Sequence, residues 1–331
     1  MKGGKRMAVL AGCNYAGRGS SELKGCINDV VSMKKVLISS FGFKENDIVL
    51  LTDNEAALEK KPTGANIKNA LERMIKQAED GDLLVFHFSG HGTLLRDKNH
   101  GAIVPTDFNI ITDMDFRQLV NKIHHKASFT IVADSCHSGG LIYQEKEQIG
   151  PSTVPTNPQI INSYKPKYIP IEDIENMFRQ QSGRPLNIGD FMRLYFRDDA
   201  SASFIQPPNF QSPNFQPPNF QSPNFQPNFK INLQPNIPFS FNIGKVYDNG
   251  ILFSGCQSNE CSLDDSASKP PHGMFSYAVM TVLQNSGKVV SNRQLVMQTR
   301  KFLGDTQHPC LYSSDENADA TFLLQRQAST N

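Results

Sequence analysis

Two short stretches carry side chains able to do covalent chemistry at the end of an apolar run. In Thr130-Ile131-Val132-Ala133-Asp134-Ser135-Cys136-His137-Ser138-Gly139-Gly140 a β-branched strand pattern stops at an acid, presents a thiol and turns on two glycines. In Leu83-Leu84-Val85-Phe86-His87-Phe88-Ser89-Gly90-His91-Gly92 a second such run presents an imidazole. A thiolate attacks a carbonyl, and a neighbouring imidazole takes the thiol proton and later returns it to a leaving amine. Backbone N–H groups at Gly92 and Cys136 are candidates for holding the oxyanion. His91 and Cys136 are therefore a candidate dyad for acyl transfer. A cysteine taken alone is more commonly a small buried hydrophobe. Two glycine-flanked strand ends, each carrying one of the required groups, make catalysis an equal alternative.

Asp29 and Asp134 fall near element ends on the same side. Two buried carboxylates there favour a cationic side chain, Arg or Lys. The residues by themselves allow a blander account, in which Asp134 caps a turn and Asp29 sits in a first helical turn. His87 reads as a packed strand residue. His137 diverges from the thiol it follows, and His124 and His125 read as a solvated helix end.

The elements that must position these groups follow from periodicity. Strands are predicted at 7–12, 48–51, 83–89, 129–133, 251–255 and 320–324, with a short extended piece at 102–104. Helices are predicted at 27–39, 65–78 (capped by Thr63), 112–123 (capped by Thr112), 274–284 and 292–302 (capped by Ser291), with one or two short ones inside 169–196. Alternating strands and helices predict an α/β fold with a mostly parallel sheet covered on both faces. Ligands in such sheets bind beyond the carboxyl ends of the strands, where both motifs lie.

The pattern lapses after Gly140. The middle is polar and Pro-rich, and 206–229 repeats Gln-Pro-Pro-Asn-Phe or Gln-Ser-Pro-Asn-Phe with a period of five. Proline in every repeat is incompatible with helix or interior strand. The repeat reads as a low-complexity insert, and docking of it as an extended ligand is the alternative. Lys and Arg number 33 against 32 Asp and Glu, a net charge of +1. That balance gives no support for nucleic-acid or polybasic membrane binding. Six scattered cysteines without a Cys-x2-Cys pair argue for free thiols in a reducing compartment, with neither a zinc site nor a disulfide framework. No apolar run approaches 18 residues and no secretory signal is visible, so a cytoplasmic, or nuclear, monomer is expected.

The residues that carry the dyad also carry a likeness. Ser89-Gly90-His91-Gly92 and Asp134-Ser135-Cys136-His137-Ser138-Gly139-Gly140 resemble the two signatures of metacaspases, in the caspase-like cysteine peptidase clan. Leu23-Lys24-Gly25-Cys26-Ile27-Asn28-Asp29, Lys61-Pro62-Thr63-Gly64-Ala65-Asn66-Ile67, Gly250-Ile251-Leu252-Phe253-Ser254-Gly255-Cys256-Gln257 and the tail from Gln307 to Phe322 are similar to the type II branch found in plants. The resemblance implies a caspase-like fold with a large region over 1–150, a linker over 151–245 and a small region over 246–325 completing the sheet. It implies Cys136 as nucleophile, His91 as base, and Asp29, Asp134, Ser89 and Cys26 as the lining of a pocket for Arg or Lys. It further implies a zymogen that cuts itself in the linker, at Lys167–Tyr168, protein or peptide substrates, and a role in cell death or stress. Calcium, which many relatives bind through acids after the His motif, is expected to matter weakly or not at all here. The segment after His91 has only Asp97, Tyr143 stands where Asp is common, and Asp113 and Asp115 alone are too few for six to eight oxygen ligands. No cofactor is therefore expected, with calcium the disfavoured alternative. A non-catalytic scaffold with the same fold is the alternative function.

Overall fold

The computed structural model describes residues 4–56, 58–97, 100–124, 126–142, 146–204, 250–286 and 289–324. The repeat at 206–229, Tyr143 and His125 lie outside the described residues. In chain order the elements are β1 (Arg6–Gly12), α1 (Cys26–Phe41), β2 (Ile48–Thr52), α2 (Gly64–Lys76), β3 (Leu83–Ser89), β4 (Gly92–Leu94), β5 (Gly101–Ile103), β6 (Ile111–Thr112), α3 (Asp113–Val120), β7 (Ser128–Asp134) and β8 (Glu147–Ile149). There follow α4 (Pro158–Ile161), β9 (Lys165–Pro166), α5 (Ile171–Ser182), α6 (Ile188–Phe196), β10 (Gly250–Ser254), β11 (Leu263–Asp265), β12 (His272–Gly273), α7 (Met274–Asn285), α8 (Asn292–Leu303), β13 (Cys310–Tyr312) and α9 (Asp315–Asp319).

Capping chemistry sets several helix starts. The Thr63 hydroxyl accepts from the Asn66 N–H to open α2, and Ser291 with Gln294 forms a reciprocal capping box on α8. At α3 the Asp115 carboxylate accepts from the Thr112 N–H at 2.9 Å. Gly42 closes α1 at φ +67°, a backbone region that glycine enters without steric cost.

Seven strands form the central sheet, in the order β2-β1-β3-β7-β10-β13-β8. The first five run parallel, and β13 and β8 add antiparallel at one edge. β3 is buried at every position because helices cover both faces of the sheet. One core layer joins the sheet to α2, α3, α5 and α6 through Ile67, Leu71, Phe116, Phe178 and Phe191. The other joins it to α1, α7 and α8 through Met33, Leu37, Phe275, Leu283 and Leu295.

Two expectations need correction. Residues 320–324 do not form a strand; Thr321 makes an isolated bridge to Ser291, while Phe322 and Leu323 are buried side chains of the tail. The sheet edge is taken by β13 and β8, each three residues long and too short to show a period. The linker expected over 151–245 also contributes to the core. α5 and α6 set Ile171, Ile174, Phe178, Phe191 and Met192 into the first core layer, and Phe178 stacks on Phe191 with ring centroids 3.6 Å apart. Among the described residues no helix is long and apolar enough to cross a membrane.

Candidate active site

The site grows from one pairing. β3 and β7 are parallel neighbours, in a register that sets Ser89 opposite Asp134. Their carboxyl ends therefore release His91 and Cys136 at the same edge of the sheet. The Gly90 N–H donates to the Asp134 carbonyl at 3.3 Å and ties the two ends together. Gly92 lies so close to the backbone of Cys136 that a Cβ would fall 1.8 Å from its carbonyl oxygen, so only glycine fits there.

His91 is buried, and its Nε2 lies 2.7 Å from the Ser21 carbonyl oxygen. A carbonyl only accepts, so in the neutral ring the proton sits on Nε2 and the lone pair on Nδ1. Nδ1 is buried with no hydrogen-bond partner in the protein. Burial pulls the His91 pKa down to about 4, which keeps the ring neutral at neutral pH. Tyr15 fixes the ring's place: its hydroxyl accepts from the His91 N–H at 2.8 Å, donates to the Val104 carbonyl, and its ring centroid is 4.7 Å from that of His91.

Cys136 is fully buried, with Sγ 3.8 Å from the Ser262 carbonyl oxygen. Burial pushes its thiol pKa up, and the neighbouring Cys256 and Cys261 thiols push it further. In this state Cys136 holds a protonated thiol and His91 a neutral imidazole.

A buried lysine completes the arrangement. Lys167 is 0 % exposed. Its Nζ donates to Ser89 Oγ at 2.9 Å and pairs with Asp134 at 3.0 Å and Asp29 at 3.4 Å. Ser89 Oγ donates onward to Asp29 at 2.6 Å. The Gly273 N–H donates to both Asp29 oxygens, and Ser276 donates to Asp134 through its N–H and its hydroxyl. Cys26 is buried one helical turn before Asp29, and its thiol interacts with Ser89. Burial works against every charge here. The Lys167 ammonium and the Ser276 bonds outweigh it at Asp134, whose pKa stays below the ordinary carboxylate value. Burial wins at Asp29, which rises to about 7. For Lys167 the acids, Asp134 foremost, outweigh burial and hold the ammonium charged.

The backbone of the same lysine lies across the strand ends. Its carbonyl accepts from the Gly92 N–H at 2.9 Å and the Cys136 N–H at 3.2 Å. Its own N–H donates to the Ser262 carbonyl at 2.8 Å. On one side Lys165 and Pro166 pair antiparallel with β11; on the other the Ile169 N–H reaches the Gly92 carbonyl at 3.1 Å. The chain from Lys165 to Ile169 is thus held extended, with one carbonyl polarised by two donors directly at the thiol residue.

Asp29, Ser89, Gly92, Asp134, Cys136 and Lys167, all singled out from the sequence, meet here. His87 packs within the sheet, 3.1 Å from Ser276 Oγ, and the His137 ring meets Tyr168 edge-on. Ser21, Tyr15, Ser262, Gly273 and Ser276 escape a sequence reading. They act through backbone groups or single hydroxyls, in segments with no spacing signal.

A family model described as "Metacaspase, peptidase C14 domain" matches residues 6–144. Metacaspase-9 of Arabidopsis thaliana is 43 % identical over 97 % of both chains. Metacaspase-6 of the same plant is 34 % identical over 96 % of this chain and 99 % of its own. Among solved structures, protein GSU0716 from Geobacter sulfurreducens shares the fold with a TM-score of 0.61 at 16 % identity, over 98 % of this chain and 100 % of that one. A thiol and an imidazole at adjoining strand ends, in a chain alike over nearly its whole length, lead to one assignment: this chain belongs to the metacaspases, a family of caspase-like cysteine peptidases.

Proposed function

We propose that the chain is an endopeptidase cutting after Lys or Arg, made as a zymogen whose first substrate is its own Lys167–Tyr168 bond. The observation that carries this reading is the doubly held Lys167, with its ammonium between Asp29 and Asp134 and its carbonyl on the Gly92 and Cys136 N–H groups. His91 Nδ1 takes the Cys136 proton, and the thiolate attacks the Lys167 carbonyl carbon. The oxyanion gathers charge against the two N–H donors, and His91 returns the proton to the Tyr168 nitrogen. Water then hydrolyses the thioester and leaves Lys167 as a new carboxyl terminus. A guanidinium meets the same two carboxylates, so Arg serves as well as Lys in a substrate.

The activity proposed is independent of calcium. Asp115 is engaged by the Thr112 and Ala202 N–H groups and Asp97 by His100, so these oxygens are already committed. Among the described residues no cluster of three or more His, Cys, Asp or Glu is arranged to hold a metal. All six cysteines are unpaired, which suits a reducing compartment.

The test compares purified wild type with Cys136→Ala on peptides ending in Arg, Lys or Asp, with and without chelator. The expected result is a cut after Lys167 and turnover of Arg and Lys peptides by the wild type alone, unchanged by chelator. Two inert proteins, or turnover after Asp, would overturn the reading.

A further inference from the structure

The glycine at the floor of the Lys167 pocket has no conformational reason to be one. Gly273 is the N-cap of α7, at φ −75° and ψ 132°, an extended backbone that any residue adopts. Space is the reason. A Cβ at this position would lie 2.2 Å from Lys167 Nζ, 2.3 Å from Asp134 Oδ2 and 2.6 Å from Asp29 Oδ2. The missing side chain is the volume that the bound ammonium occupies. Nor can the segment retreat to make room. Behind it, a Cβ on Gly25 would meet the His272 backbone at 2.4 Å, and β12 is pinned to β11 by the Asp264–Gly273 pairing. The same glycine's N–H donates to both oxygens of Asp29, so its backbone holds the carboxylate while its absent side chain leaves the cation its place.

We infer that Gly273 is a specificity-determining residue, setting the pocket depth to a four-carbon or longer basic side chain. The inference rests on the proposed Lys/Arg peptidase reading. An alanine methyl would crowd the lysine nitrogen at 2.2 Å and, with it, the two carboxylate oxygens that hold that nitrogen. Ornithine, one methylene shorter, withdraws its nitrogen by about 1.3 Å and so clears a methyl that lysine cannot.

Full-length Gly273→Ala is converted with a catalytic amount of tagged wild type, which is then removed, and kcat/KM is measured on peptides ending in Arg, Lys and ornithine. Wild type is expected to prefer Lys and Arg to ornithine. The methyl displaces the two carboxylates for every substrate but meets the nitrogen of Lys and Arg alone, so the variant is expected to lose on all three peptides and least on ornithine, with the ornithine-to-lysine ratio rising at least tenfold. It is also expected not to cut itself at Lys167. A ratio unmoved in an active variant would overturn the assignment.

A folding defect is separated by a second measurement in the inactive Cys136→Ala chain. There Gly273→Ala is expected to lower the melting temperature, and to lower it by less once Lys167→Ala has emptied the pocket and left the two carboxylates free to shift. An equal drop in both backgrounds would assign Gly273 to the frame of the fold alone and overturn the proposal. Failure of the peptidase reading looks different: wild type then turns over none of the peptides, while the 167–273 coupling can still be read.

Discussion

Replacing Lys167 by Met in the uncut Cys136→Ala chain isolates the pocket's electrostatics from its chemistry. Met keeps the length and most of the apolar stem but removes the cation that bridges two carboxylates, both 0 % exposed. Breaking a buried ion pair by deleting one partner costs about 3–5 kcal/mol, because the remaining charge is left uncompensated. Asp134 keeps its two Ser276 bonds, and Asp29 keeps Ser89 and the Gly273 N–H. Those retained bonds put the expected loss near the lower end, about 3 kcal/mol.

The loss must depend on pH with a definite sign. In the parent, the depressed pKa of Asp134 gives stability that is present above the unfolded carboxylate value near 4 and is lost as pH falls below it. In the Met variant, burial without the cation raises the carboxyl pKa. Such a group stabilises at low pH and loses that contribution as pH rises. The gap between the two chains should be widest at neutral pH and narrow toward pH 4. Denaturant titrations of both chains from pH 4 to 8 measure it. A deficit under about 1 kcal/mol, or one indifferent to pH, would refute the claim that these charges depend on one another.

Two further predictions concern the base and the linker helices. With His91 held near a pKa of about 4 under the linker, the acid limb of self-cleavage should fall near pH 4, not near the ordinary histidine value of about 6.5; single-turnover gels across pH, with circular dichroism to track folding, would expose a limb near 6.5 as a contradiction. Phe191→Ala removes a ring that is 2 % exposed and stacked on Phe178, and should cost about 3–5 kcal/mol; a loss under about 1 kcal/mol in denaturant titration would mean that α5 and α6 are not part of the core.

How much could be read beforehand depended on the range of the signal. The helices from Thr63 and Ser291 were legible because a cap and an apolar face lie within a few residues of each other. The strand ends at Ser89 and Asp134 were legible because an apolar run stops at glycines or a polar motif. β8, β9 and β13 were not, since two or three residues paired across the sheet carry no period of their own. The expected strand at 320–324 had the right apolarity but no strand partner beyond one bridge. Burial alone does not make a β-strand; a row of backbone partners does.

The sequence by itself determined the order of the strands along the chain and the residue types at their ends, because periodicity and turn chemistry are local. It therefore supplied His91, Cys136 and the two acids as candidates. Only the tertiary structure decided that Ser89 stands opposite Asp134, that the Ser21 carbonyl accepts from the Nε2–H of His91, and that Gly273 leaves the room a lysine nitrogen fills. Those facts join residues as far apart as Asp29 and Gly273, where nothing in the chain's local order relates one to the other. Parallel pairing and close packing bring them within contact, and the charge balance of a fully buried pocket then follows from distance alone.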